Sequence, residues 1–249
     1  MILAVDIGNT NINISSFQGK KLISHYCVDN KGLINQKAAF PLSPSLLNQT
    51  KDILIASVNP KLETVFYKYL GKKHKKKVLK IGKEIKLKMP ILVDNPQKIG
   101  IDRLLNALAA YRRTKKATIV IDFGTAITID IVSRKGEFLG GLILPGIRAS
   151  AYALNKQTAL LPEVDIKKPK DVIGKNVENA IKAGIYFGTT GSIIHIIRKI
   201  RKVYKDLQYT IATGGDAKTF KKDISEIDKV VPRLTLEGIR IAFTESINP

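Results

Sequence analysis

Residues 1–17, MILAVDIGNTNINISSF, and residues 117–133, ATIVIDFGTAITIDIVS, read as one device written twice. Each begins with an apolar run suited to a buried strand. That run ends in an acid, one apolar residue, a glycine and small polar residues, and a second, alternating strand follows. Setting Asp122 on Asp6 also sets Gly124 on Gly8 and Thr125 on Asn9. A glycine-bearing turn between strands can leave its backbone N–H groups in a concave nest that suits phosphate. Asn9, Thr10 and Thr125 add neutral donors. A carboxylate beside phosphate calls for a divalent cation between them, so Asp6 is a candidate magnesium partner. An ordinary hairpin turn explains either copy taken alone. Two copies in equivalent settings point to a nucleotide held across a cleft between two domains. No Walker loop competes for the phosphate, because none of the Gly-Lys pairs at 19, 71, 82 and 174 is followed by Ser or Thr.

Working outward, the first copy continues as a three-strand meander, Ile2 to Ile7, Asn11 to Phe17 and Lys21 to Cys27. DILIASVNP (52–60) reads as a buried strand stopped by proline, and KLETVFYKYLGKK (61–73) has helical spacing. PQKIGIDRLLNALAAYRRTKK (96–116) reads as a loop feeding a helix, with Leu104, Leu105, Leu108 and Tyr111 on one stripe. The second copy adds a third strand near Glu137 to Ile143, a helix near Ile147 to Leu154 and a long helix from about Asn176 to Val203. A strand YTIAT (209–213) and closing helices complete it. The expected organisation is therefore α/β, with two similar domains, residues 1–114 and 115–249.

Composition sets bounds on function. The 42 Lys and Arg against 21 Asp and Glu give a formal charge of +21, which attracts polyanions without selecting among them. The densest lysine run, Gly71 to Lys88, has no aromatic residues interleaved for base stacking. It reads as a solvated loop or sheet edge, and nucleic acid is an unlikely partner on this ground. No stretch approaches the roughly 18 uninterrupted apolar residues of a membrane span. The N-terminus runs straight into a strand pattern without a secretory signal, so a soluble cytoplasmic protein is expected. Cys27 is the only cysteine, which excludes an internal disulfide, and His25, His74 and His195 lack metal-ligand spacing.

Two further elements carry chemistry. Asp102 and Arg103 lie where a glycine-bearing loop enters a helix. A carboxylate there could accept a proton from an attacking hydroxyl, and Arg103 could neutralise charge growing on a transferred phosphoryl group. The plainer alternative is an N-cap aspartate beside a surface arginine. IATGGDA (211–217) ends a strand in Gly214 and Gly215, which allows close backbone approach to an adenine or ribose. A glycine-rich turn followed by a helix-capping Asp216 is the alternative.

In that order, DIGNTN (6–11), DNP with GIDR (94–96 and 100–103), DFGTA (122–126), GGLILPGI (140–147) and ATGGDA (212–217) resemble the type III pantothenate kinases. These belong to the superfamily of actin, sugar kinases and heat-shock chaperones, and the likeness spans essentially the whole chain. The resemblance implies two ribonuclease-H-like domains with an actin-like ATPase fold, ATP between them, and a homodimer whose interface completes the pantothenate pocket. It implies phosphorylation of the pantothenate 4′-hydroxyl, the first committed step toward coenzyme A, with Mg²⁺ and a monovalent cation, K⁺ or NH4⁺. By position it makes the loop Asp6, Ile7, Gly8, Asn9, Thr10, Asn11, Ile12, Asn13 the ATP phosphate site, with Thr125 a further ATP contact and Gly214 and Gly215 beside the nucleotide. Asp6 serves magnesium and Asp122 the monovalent cation. Asp102 becomes the proton acceptor, and Gly100, Ile101, Asp102 and Arg103 line the substrate. Two positions depart from the family: Val93 stands where a tyrosine meets pantothenate, and Val177 where a threonine does. Both remove a hydroxyl from the acceptor pocket. Three readings follow: a pantothenate kinase, a same-fold kinase with another hydroxylated acceptor, and a non-catalytic nucleotide-binding regulator.

Overall fold

The computed structural model describes residues 1–34, 40–74 and 77–247, with backbone alone described at 34 and 71–74. Lys75 and Lys76, and the side chains of the lysine run before them, lie outside the described residues, as does the side chain of His74.

The doubled sequence produces a doubled sheet. The first is built from β1 (Ile2–Ile7), β2 (Asn11–Gln18), β3 (Lys21–Asp29), β4 (Asp52–Ser57) and β5 (Val78–Lys80), in the order β3-β2-β1-β4-β5. β1 pairs antiparallel with β2 and parallel with β4, in a register that sets Asp6 against Asn13 on one side and Ala56 on the other. The second sheet comprises β6 (Thr118–Phe123), β7 (Ala126–Val132), β8 (Phe138–Pro145), β9 (Tyr209–Gly214) and β10 (Lys229–Val230), in the order β10-β9-β6-β7-β8. Strand for strand the order and directions match, so the repeat extends beyond the expected meander to five strands. The two short parallel strands β5 and β10 were not foreseen, since two or three residues carry no readable period. β5 is the edge of the first sheet and emerges from the lysine run, which agrees with the solvated loop or edge expected there.

Each sheet has its own core. Leu3, Val5, Ile7, Ile12, Ile14, Ile53, Ile55 and Phe66 anchor the first, and Ile119, Ile121, Phe123, Ile129, Tyr186, Ile193 and Phe220 the second. The helices of the first are α1 (Asn30–Ile34), α2 (Pro44–Gln49), α3 (Pro60–His74) and α4 (Ile101–Thr114). α3 opens on Pro60 behind Asn59, whose Oδ1 accepts from the Leu62 N–H at 3.2 Å. The second unit carries α5 (Ile147–Gln157), α6 (Val177–Val203) and α7 (Ala217–Lys221). α6 is long and apolar enough to cross a membrane by length and composition, but it buries Ile181, Tyr186, Ile193 and Ile197 in the second core.

One boundary departs from expectation. The compact units are Met1–Arg113 with Arg233–Pro249, and Thr114–Pro232, so the closing helix α8 (Leu234–Ile247) rejoins the first unit instead of ending the second. Nothing in its sequence names a partner. Its attachments are long-range: the Thr235 hydroxyl donates to Asn106 Oδ1 at 2.9 Å in a buried pair, Arg113 Nε donates to Glu237 Oε2 at 2.8 Å, and Arg112 pairs with Glu245. Gly238 lets the helices touch, because a Cβ there would sit 2.8 Å from the Leu105 carbonyl carbon. Gly238→Ala should therefore lower stability by about 1–3 kcal/mol, the usual cost of overpacking. An exposed helical site would gain about 1 kcal/mol from the same change, so the sign of the shift in a urea denaturation series checks the contact.

Candidate active site

The first turn, Gly8 to Thr10, joins β1 to β2. The Gly8 N–H donates to Asn11 O at 3.0 Å, and a Cβ at residue 8 would sit 3.1 Å from that oxygen, a tight contact that glycine avoids. Asp6 is half-buried at the end of β1, with Asn13 Nδ2 at 3.5 Å from its Oδ2. Asn9 and Thr10 are exposed, while Ile7 and Ile12 are fully buried. Of the eight loop residues expected at ATP, Ile7 and Ile12 can therefore offer only backbone groups, and the Gly8 N–H is already used within the turn. Cys27 stands opposite Asn13 in β3. Partial burial, and then the Asp29 and Asp6 carboxylates, push its thiol pKa up and keep it protonated.

α4 brings Asp102 to the same end of this sheet. Val58, just past β4, donates its N–H to Ile7 O at 3.1 Å, and its Cγ1 lies 3.9 Å from where a Cβ on Gly100 would be. That Cβ would also lie 2.5 Å from Asp102 Oδ1, so the glycine makes room for the carboxylate. Oδ1 accepts from the Arg103 N–H at 2.9 Å, whereas Oδ2 accepts no hydrogen bond from any described residue. Asp102 lies inside the first turn of α4 and is half-buried, as are Ile101 and Arg103. Val93 is half-buried ahead of a short 3-10 helix, Pro96–Lys98.

In the second unit, Gly124 N–H donates to Ala126 O at 3.2 Å, and the turn is one residue shorter than its counterpart. Asp122 faces Thr128 across the ladder and Thr213 in β9. Gly214 has φ +92°, and a Cβ on it would lie 2.5 Å from both Asp122 Oδ1 and Phe123 O. The missing side chain leaves a cradle beside a carboxylate and a carbonyl oxygen, a donor set that fits a hard cation. Gly215 is exposed with open space around it, and Thr125 is exposed. Asp216 occupies the N-cap position of α7 without making a side-chain capping bond. It lies 3.6 Å from Arg148, and burial raises its pKa against the opposing pull of that guanidinium.

Val177 opens α6, is exposed, and lines an open apolar groove of about 460 Å³ with Leu154, Leu161, Ala180, Ile181, Gly184 and Ile185. Two candidates were missed from sequence. Asp130, 1% exposed in β7, accepts from the Thr128 hydroxyl at 3.3 Å, and Thr128 faces Asp122. Its signal was an acid at an otherwise apolar strand position. Asn30, also buried, gave none.

Residues 2–199 match the family model described as type III pantothenate kinase. A Geobacter sulfurreducens protein named type III pantothenate kinase is 39% identical over 98% of this chain and 98% of its own. Among solved structures, a Campylobacter jejuni protein assigned to the Baf family of transcriptional activators superposes with a TM-score of 0.62, at 22% identity over the whole of both chains. A Porphyromonas gingivalis protein assigned as an N-acetylglucosamine kinase gives 0.52, at 14% identity over 99% of this chain and 100% of that one. The architecture is thus the two-domain, ribonuclease-H-like fold of the actin-like ATPases, and the chain belongs to the type III pantothenate kinase family.

Proposed function

We propose that this protein transfers the γ-phosphoryl group of ATP to the 4′-hydroxyl of pantothenate, the first step of coenzyme A synthesis, in the cytoplasm. The observation that carries the reading is Asp102, given room by Gly100, which lies beside Val58 at the sheet end that also bears the Asp6 turn. Asp102 Oδ2 accepts the hydroxyl proton as the substrate oxygen attacks phosphorus, and the Arg103 guanidinium balances charge on the equatorial oxygens. The exposed Asn9 and Thr10 bind phosphate oxygens, Asp6 holds Mg²⁺ directly or through water, and Thr125, Gly214 and Gly215 meet the nucleotide. Asp122 with the Phe123 carbonyl suits K⁺ or NH4⁺. The metal ions supply neutralisation of phosphate charge. Gly100 to Arg103, with Val93 and Val177, form the acceptor side.

A homodimer fits the surface of the second unit. Leu160, Val172, Ile173, Tyr152 and Val177 are exposed apolar side chains. Gly184, Gly188 and Gly191 of α6 have nothing within 4 Å of where a Cβ would project, which leaves space for close helix approach. A second reading, the same kinase with another small hydroxylated acceptor, rests on Val93 and Val177.

Purified protein with Mg²⁺ and K⁺ should form phosphopantothenate from ATP, and Asp102→Asn should lower kcat by about 10²–10⁴-fold. Equal turnover by the variant removes Asp102 from the chemistry. Across a panel of hydroxylated acceptors pantothenate should have the highest kcat/KM, and a different winner establishes the second reading. Gly214→Ala should raise the concentration of K⁺ needed for half-maximal activity, since its methyl group fills the cradle beside Asp122. An unchanged K⁺ requirement places the cation elsewhere. Gly188→Leu should convert a dimer to a monomer in light scattering without loss of helix content by circular dichroism, because leucine is the better helix former.

A further inference from the structure

Asn30, the first residue of α1, is 3% exposed and grips the first turn at two points. Its backbone N–H donates to Thr10 O at 2.9 Å, and its side-chain Nδ2 donates to Gly8 O at 2.9 Å. Its own Oδ1 is buried without a hydrogen-bond partner, a costly arrangement that an apolar side chain of the same size would avoid. The amide orientation is settled by Gly8 O, which can only accept.

The trans peptide unit is planar, so each carbonyl points opposite to the N–H of the next residue. Tying Gly8 O and Thr10 O to Asn30 therefore aims the N–H groups of Asn9 and Asn11 away from it. In the second turn main-chain donors reach two of the carbonyls: the Gly146 N–H donates to Thr125 O at 3.1 Å and the Asp216 N–H to Phe123 O at 3.5 Å. From this we infer that Asn30 is a positioning residue for nucleotide phosphate, holding the Gly8–Asn9 peptide in the orientation that presents its N–H to ATP. The inference rests on the reading of that turn as the ATP phosphate site.

Asn30→Leu removes both the Nδ2 donor and the unsatisfied oxygen, and Asn30→Thr retains a smaller polar side chain. Each is compared with the unaltered protein by thermal denaturation, by calorimetric titration with a non-hydrolysable ATP analogue and Mg²⁺, and by separate KM values for ATP and pantothenate. The expected result is about a tenfold or greater loss of ATP-analogue affinity with a matching rise in KM for ATP. KM for pantothenate stays within about twofold, and Asn30→Leu keeps its Tm. A purely structural residue would lower Tm and leave ATP affinity unchanged. Unaltered ATP affinity in a folded variant overturns the inference, as does failure of both variants to fold. If the unaltered protein does not bind the ATP analogue, the reading of the turn falls with it; if it binds and the variants bind equally, only the role of Asn30 falls.

Discussion

The carboxyl end of β1 is the constraint on which the first unit depends. β1 is central, bonded antiparallel to β2 and parallel to β4, so its last residues are fixed from both sides before any loop forms. Four core side chains, Leu3, Val5, Ile7 and Ile12, are fully buried around it. Each contributes roughly 1.5–3 kcal/mol of apolar burial, far more than any single hydrogen bond in the turn. Strand burial therefore sets where Asp6 stands, and the turn bonds only choose which way its peptides face. The same division holds in the second unit, where Ile119, Ile121 and Phe123 place Asp122.

Three carboxylates are positioned by what is missing next to them. Gly100 leaves space for Asp102, Gly214 for Asp122, and Gly141 for Asp130, whose Oδ1 would lie 2.8 Å from a Cβ there. Only Gly214 has a positive φ among these three, so conformational freedom is the requirement at one of them and volume at the other two. A methyl group at any of the three would meet a carboxylate oxygen inside van der Waals contact, and at 141 and 214 it would press on backbone as well.

Much of this was legible because it was local or repeated. Asp6-Ile7-Gly8 and Asp122-Phe123-Gly124 share spacing, and short-range spacing survives in a sequence as written. The helix carrying Asp102 was legible from the apolar stripe of Leu104, Leu105 and Leu108, all buried as expected. What escaped was long-range. The return of α8 to the first unit depends on Thr235 meeting Asn106 and Gly238 meeting Leu105, pairs separated by more than a hundred residues. Asn30 escaped for the same reason at shorter range, because nothing in VDNKGLI says that its amide reaches back to Gly8. Asp216 misled in the other direction: it occupies a capping position, yet its side chain lies near Arg148.

On the proposed assignment the donor and acceptor sides of the reaction are built differently, which would let the side chains at 93 and 177 vary beside a constant phosphate turn. Phosphate at the proposed turn would be held by backbone direction, which tolerates change in neighbouring side chains so long as the ladder and the glycines persist. A hydroxylated acceptor is recognised by side chains, where one lost hydroxyl leaves a polar partner unsatisfied and discriminates strongly. Val93 and Val177 are both more exposed than the core residues that fix β1, so replacing a polar group at either place leaves the sheets undisturbed. On that assignment, selectivity for the acceptor would drift at such positions while the proposed ATP turn stays fixed by burial.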